Sequence, residues 1–245
     1  MHRRVLVGSL VSALLAAPAA AQQLTLEDVL SNYYEAIGGL EAWRSVQSMK
    51  MTGRMTMRRG MEAPFTQTLK RPGKIRVEFT MQGMSAIRAY DGATAWMVMP
   101  FRGSTEPEVM PPEMAGSLIQ DADIDGPLVG YEEDGHQLEL VGLTETEGTP
   151  AYKLEVTLKG GDVEYWYLDA EYFIPIRIER TREFRGNVRE FATTLSDYKE
   201  VGGLMIAHSI QTGGAGPGRG MVETIDQVEL NVEVDDAVFA MPGGG

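Results

Sequence analysis

Few side chains in this sequence are suited to covalent chemistry. Cysteine is absent, which removes thiolate nucleophiles, thiolate metal sites, Fe–S clusters and disulfides together. Of the 3 histidines, His136 falls in a polar turn and His208 in an apolar strand-like run between Ile206 and Ile210. No H-E-x-x-H or G-x-S-x-G spacing occurs, so the common zinc and serine hydrolases have no support. A lipid hydrolase would need His208 to meet Asp169 or Asp197 from distant segments. The most pointed motif is Asp121-Ala122-Asp123-Ile124-Asp125-Gly126 with Glu132 beyond it, the spacing of a calcium loop. Asp121, Asp123, Asp125 and Glu132 could supply carboxylates to a Ca²⁺ ion. Pro127 after the glycine, and the polar run Tyr131 to Gly135, oppose the exiting helix that such a loop requires. The expectation is a helix ending in a polar turn, with no metal and no cofactor.

The second constellation is chemically inert and physically informative. The sequence holds 15 methionines, and Met49, Met51, Met55 and Met57 alternate with Lys50, Thr52, Arg54 and Thr56. Unbranched, polarizable thioethers mould around apolar ligands of variable shape. Together with Phe79, Trp96, Met97 and Met99 they suit the wall of an acyl-sized cavity on a curved sheet. The basic run Arg177, Arg180, Arg182, Arg185 and Arg189 reads as cross-strand pairing with Glu179, Glu183 and Glu190. Gly213 to Gly220 lacks the G-K-[ST] end of a phosphate loop and reads as a hairpin connection.

These residues must be placed by a chain of 245 residues with a formal charge of -13 and a pI near 4.7. An acidic balance of this size argues against a nucleic-acid partner, which needs a basic face. The first residues have the organisation of an export signal. His2-Arg3-Arg4 is followed by an apolar run from Val5 to Ala17, Pro18 and the small residues Ala19 to Ala21. Cleavage is expected after Ala21, leaving residues 22–245 with 20 basic and 35 acidic residues, a charge of −15. The expected compartment is the periplasm, with no lipid anchor.

Periodicity supplies the scaffold. Thr25 and Asp28 form a capping-box spacing, and Leu26, Val29, Leu30, Tyr33 and Ile37 share one helical face up to Gly38-Gly39. After Ser48 the period changes to two. About a dozen strands joined by short glycine-bearing turns follow, which implies antiparallel hairpins. A helical stretch with Met114, Leu118 and Ile119 interrupts them after a proline pair. The fold class is α+β, one domain over residues 22–245, without an internal repeat or linker.

An ordered set of short motifs resembles one known group. Lys70-Arg71-Pro72, the Lys74 to Glu78 strand, Asp91-Gly92, Trp96 and Pro100-Phe101 follow the order of LolA/LolB-like outer-membrane lipoprotein-sorting proteins. Tyr34-x-x-x-Gly38-Gly39, Asp125-Gly126-Pro127-Leu128, Leu168-Asp169, Ser196-Asp197-Tyr198 and Phe239-x-x-Pro242 resemble further pieces of that group. The resemblance spans nearly all of residues 22–245. It implies a half-open antiparallel barrel around a hydrophobic cavity, with helices and loops as a lid. Arg71 matches the family arginine that holds this lid, and Trp96 to Met99 match a strand of the wall. Asp125 to Leu128 is then a structural turn rather than a calcium loop.

The function so implied is non-enzymatic: a periplasmic carrier of acyl chains of lipoproteins or other lipids, delivering them toward the outer membrane. Its partners would be that cargo and transient inner- and outer-membrane components. The alternatives are a regulatory lipid-sensing module that binds a membrane partner and, last, a hydrolase built on His208.

Overall fold

The helix expected after Thr25 is fastened as its sequence requires. In the computed structural model, which describes residues 24–57, 60–184, 187–214 and 220–243, α1 (Leu26–Ala36) begins with Thr25 Oγ1 accepting from the Asp28 amide. The Asp28 carboxylate accepts from the Thr25 amide in return. These bonds hold the Asp28 carboxyl below its ordinary range. The expected signal segment 1–21, Arg185 and residues 215–219 of the glycine-rich connection lie outside the described residues. So do the side chains of Arg182, Glu183 and Arg189.

A short α2 (Leu40–Arg44) leads into six strands: β1 (Ser48–Met57), β2 (Met61–Lys70), β3 (Lys74–Met81), β4 (Met84–Tyr90), β5 (Ala95–Met99) and β6 (Ser104–Val109). Two helices, α3 (Pro112–Asp121) and α4 (Tyr131–Asp134), separate them from a second series. That series is β7 (Gln137–Thr146), β8 (Thr149–Thr157), β9 (Val163–Asp169), β10 (Pro175–Phe184), β11 (Asn187–Val201), β12 (Leu204–Gly214) and β13 (Gly220–Leu230). Each series is an antiparallel meander, and β13 pairs with β1 to join them. The described residues thus form a single 13-stranded sheet that runs from β6 at one edge to β7 at the other. It curves as a half-barrel and does not close. Strand β6 was not among the runs expected from periodicity.

Curvature has a residue-level cause at the seam. The β1–β13 register slips between Thr52 and Gly53, and a Cβ on Gly53 would lie 2.0 Å from the Thr224 carbonyl oxygen. Only glycine allows the two strands so close an approach. Gly38 does the same for α1. Its φ is +104, a Cβ there would meet the Gly203 oxygen at 2.1 Å, and the Met205 amide donates to Ile37 O at 3.1 Å. The helix is thereby pinned to the β11–β12 turn.

Two helices share the inner face of the sheet. α1 places Val29, Leu30 and Tyr33 on Leu154, Val156, Trp166, Leu168 and Ile178 of β8 to β10. α3 places Ala115 and Leu118 over Met49, Leu69, Ile75, Val77, Met97 and Met99 of β1 to β5. On the outer face, the segment after β13 crosses back over the first meander. Its Phe239 is fully buried and its carbonyl accepts from Trp96 Nε1 at 2.7 Å.

Candidate functional site

Cross-strand register defines which side chains face inward. Met49 stands opposite Leu69, Leu69 opposite Ile75, Ile75 opposite Tyr90 and Tyr90 opposite Ala95, one continuous inner row. The space between the inner face and α3 is not filled. A cavity of about 500 Å³ lies there, within the ~300–1,000 Å³ usual for small-ligand sites. Met49, Met51, Leu69, Val77, Ile206 and Ile210 form its apolar floor, and Leu118 of α3 and Trp43 close it from above.

Expected wall residues separate into four groups. Met49 and Met51 line the cavity. Met55, Met57 and Phe79 share the inner face, yet they pack beside it around Phe65 and Ile225. Met97 and Met99 are buried in the core beneath α3. Trp96 corrects the expectation, because alternation turns it to the outer face. There it stands opposite Ala89, under the Arg76 guanidinium at 5.7 Å and against the Phe239 carbonyl. An aromatic on a wall strand still has two faces to choose from, and the covering tail decided this one.

Arg71 is where a latch would be. It opens the β2–β3 turn through a cis Arg71–Pro72 bond, and its guanidinium grips Asp125 with both terminal nitrogens. Arg71 Nη2 donates to Asp125 Oδ1 at 2.6 Å, and Nε donates to the Val46 carbonyl at 2.7 Å. The two side chains are 23% and 17% exposed, so the pair is largely shielded from water. The bond to Asp125 holds the Arg71 guanidinium above its ordinary pKa, firmly protonated. Two more bonds fasten the same loop between α3 and α4. Trp43 Nε1 donates to Ile124 O at 3.1 Å, and the Tyr34 hydroxyl donates to Leu128 O at 2.9 Å. The turn Asp125-Gly126-Pro127-Leu128 is therefore the held part of the roof.

That use of Asp125 competes with the calcium alternative. Asp121, Asp123, Asp125 and Glu132 do not converge, and no group of ligating side chains among the described residues could hold a metal ion. Asp125 is committed to Arg71, and Asp123 accepts from the Asp125 amide at 3.1 Å. The hydrolase pairing is not assembled either. His208 is buried with Nδ1 2.9 Å from Ile206 O, Asp197 pairs with Lys199 at 2.9 Å, and Asp169 caps its own turn.

Three charged residues in the cavity region, Arg88, Glu164 and Glu223, escaped the sequence reading, and a fourth, Arg180, was given other partners. Arg180 points inward to Glu164, with 2.8 Å between Nε and Oε1, and not to the cross-strand partners first expected. Glu164 is only 3% exposed and also accepts from Trp166 Nε1 at 2.9 Å. Arg180 Nη1 lies 4.0 Å from Asp121 at the end of α3, tying the roof helix to the second meander. Arg177 instead pairs on the outer side with Glu179 and Glu147, at 2.9 and 2.7 Å. Arg88 and Glu223 both line the cavity, and burial pushes the Glu223 carboxyl up. The signal was available: Arg88 occupies an inward position of the β4 alternation, in phase with Ala86 and Tyr90.

No protein-family model matches this sequence, and no curated protein matches it. Solved structures do match its fold. A proposed outer membrane lipoprotein-sorting protein domain from Vibrio parahaemolyticus aligns at 14% identity, over 86% of this chain and 94% of that one, with a TM-score of 0.57. A LolA superfamily protein from Nitrosomonas europaea aligns at 15% identity, over 89% and 98%, with a TM-score of 0.57. A DUF1329 family protein from Desulfovibrio piger gives 14% identity, 86% and 97%, and a TM-score of 0.58. The chain has a LolA-like fold. No helix among the described residues is long and apolar enough to cross a membrane.

Proposed function

We propose that this protein is a non-enzymatic exported carrier that shelters an acyl chain of a lipid or lipoprotein in transit toward the outer membrane. The observation that carries this reading is the unfilled space of about 500 Å³ between the inner face and α3. Each methylene kept out of water is worth about 0.8 kcal/mol, so a carrier needs an apolar recess already formed. Methionine, leucine and isoleucine walls provide one without demanding a fixed ligand shape. The fold shared with a proposed lipoprotein-sorting domain and the signal-like residues 1–21 support the same reading.

The Arg71–Asp125 pair gives the carrier a way to let go. A latch that stabilises the closed roof favours the empty state, and cargo occupies the state in which the roof has yielded. Re-forming the pair drives the cargo out at the acceptor. The mature chain exported by a host cell should carry a co-purifying lipid in native mass spectrometry. A fluorescent fatty acid should bind it and be displaced by unlabelled lipid. A chain that leaves the cell bare and binds no fluorescent acyl probe would end the proposal.

A further inference from the structure

The cavity is apolar along its floor and charged at one side, and the charges are not equally satisfied. Arg180 is paired with Glu164 at 2.8 Å and lies 4.0 Å from Asp121. Arg88 is different. Its Nε, like that of Arg180, is cut off from solvent without a hydrogen bond, but no carboxylate forms an ion pair with Arg88 among the described residues, although its side chain lines the cavity. Glu223 faces the same space from β13, close enough to feel the Arg88 charge but without a hydrogen bond or ion pair to it. A guanidinium nitrogen left without water or an acceptor is costly, and an apolar cavity gains nothing from it while empty.

We propose, resting on the acyl-carrier reading above, that the cargo enters head first and that its head is a carboxylate received by Arg88. A carboxylate oxygen accepts from the Arg88 guanidinium where it lines the cavity, in a charge-assisted bond. The hydrocarbon tail then lies on Met51, Leu69, Val77, Ile206 and Ile210. Burial disfavours the charged form of Glu223, which lessens its repulsion of an anionic head beside Arg88. The remaining charges decide against a phosphate. Asp121 and Asp123 also face the cavity, and a doubly charged head would be repelled by them more strongly than a singly charged one.

The test compares heads on one tail. The delipidated full-length mature protein is titrated with palmitate, methyl palmitate and hexadecyl phosphate, and separately with acetate and inorganic phosphate. Palmitate should bind more tightly than its methyl ester by roughly tenfold to a hundredfold, the span of one charge-assisted bond. Hexadecyl phosphate should be weaker than palmitate, and the two small anions should not bind. Arg88→Met should abolish the preference for palmitate over its methyl ester, and Arg88→Lys should recover part of that preference. Palmitate labelled at its carboxyl carbon should show a displaced titration by NMR with the wild type and an ordinary one with Arg88→Met.

Equal wild-type affinities for acid and ester would overturn the head-first assignment and leave the carrier reading standing. Tight binding of the alkyl phosphate, or of acetate or inorganic phosphate alone, would also overturn it. Failure of both acid and ester to bind would strike the carrier reading instead. The acid–ester comparison needs no variant, so a poorly folding Arg88→Met protein does not rescue the assignment.

Discussion

The two meanders bury their inner faces in opposite ways. Under α1, the faces of β8, β9 and β10 are filled by Leu154, Val156, Trp166, Leu168 and Ile178, most of them with almost no exposure. Under α3, the faces of β1 to β4 and β12 carry methionine, isoleucine and an arginine, and a volume remains. The same curved sheet thus does two jobs. The α1 half is an ordinary close-packed core that supplies stability. The α3 half exchanges packing for room, and it is the half whose roof is held by the Arg71–Asp125 pair. On the carrier reading, the room for a ligand comes from leaving one helix short of a full jigsaw fit.

The largest test of this contrast is a matched pair of truncations. Leu154→Ala should cost about 2–5 kcal/mol, because a fully buried leucine in a filled layer leaves a cavity that cannot collapse. Met51→Ala, at the wall of a space already present, should cost less than ~2 kcal/mol, since fewer contacts are lost. Urea unfolding measures both. Equal costs would mean that the two halves are packed alike.

Next in size is the latch. Arg71→Leu leaves Asp125 shielded from water without its partner and should cost about 1–3 kcal/mol, less than a fully buried pair because both groups keep some exposure. Acyl-probe affinity should rise, while transfer to acceptor vesicles should slow, because the closed empty state has lost its fastening. Transfer at the wild-type rate would separate Arg71 from release. A smaller stability change, with a large functional one, is expected from Ile210→Trp. The indole intrudes on part of the cavity floor, so probe affinity should fall while stability shifts by no more than ~1–3 kcal/mol. Unchanged affinity would place the acyl site elsewhere.

Much of this contrast was legible before any coordinates. The Val29, Leu30, Tyr33 face of α1, the capping box and the antiparallel meanders follow from periodicity and turn chemistry, which are local properties. Arg71 came from a resemblance, and its Asp125 partner lies 54 residues away. No spacing rule reaches that far. The cavity wall was legible only in part. Alternation identifies two faces of a strand but not which one the protein uses, and Trp96 went to the face that the tail covers. Arg88 broke its own pattern visibly. Arg180 did not, because its neighbours offered plausible partners in sequence while Glu164 waited on β9 in space.

The smallest effect concerns the outside of the hollow half. The tail that covers Trp96 is fastened by Asp236, whose two carboxylate oxygens take Lys70 and Lys74, each at 2.7 Å. Those hydrogen bonds hold the Asp236 carboxyl down to about 2. A folded-state value below the unfolded one means that the unfolded chain binds the proton more readily. The contribution is therefore complete above roughly pH 4, where both states are ionised, and fades as the pH falls through about 2. The pair is exposed, so salt should weaken it as well. Hydrogen exchange followed from pH 5 toward pH 2 should lose protection first in β2 to β5, under the tail, while β8 to β10 under α1 hold. Asp236→Asn should show that early loss already at neutral pH, with Leu154 and its neighbours unchanged. Protection lost first in the α1 half would reverse the assignment of which half carries the stability.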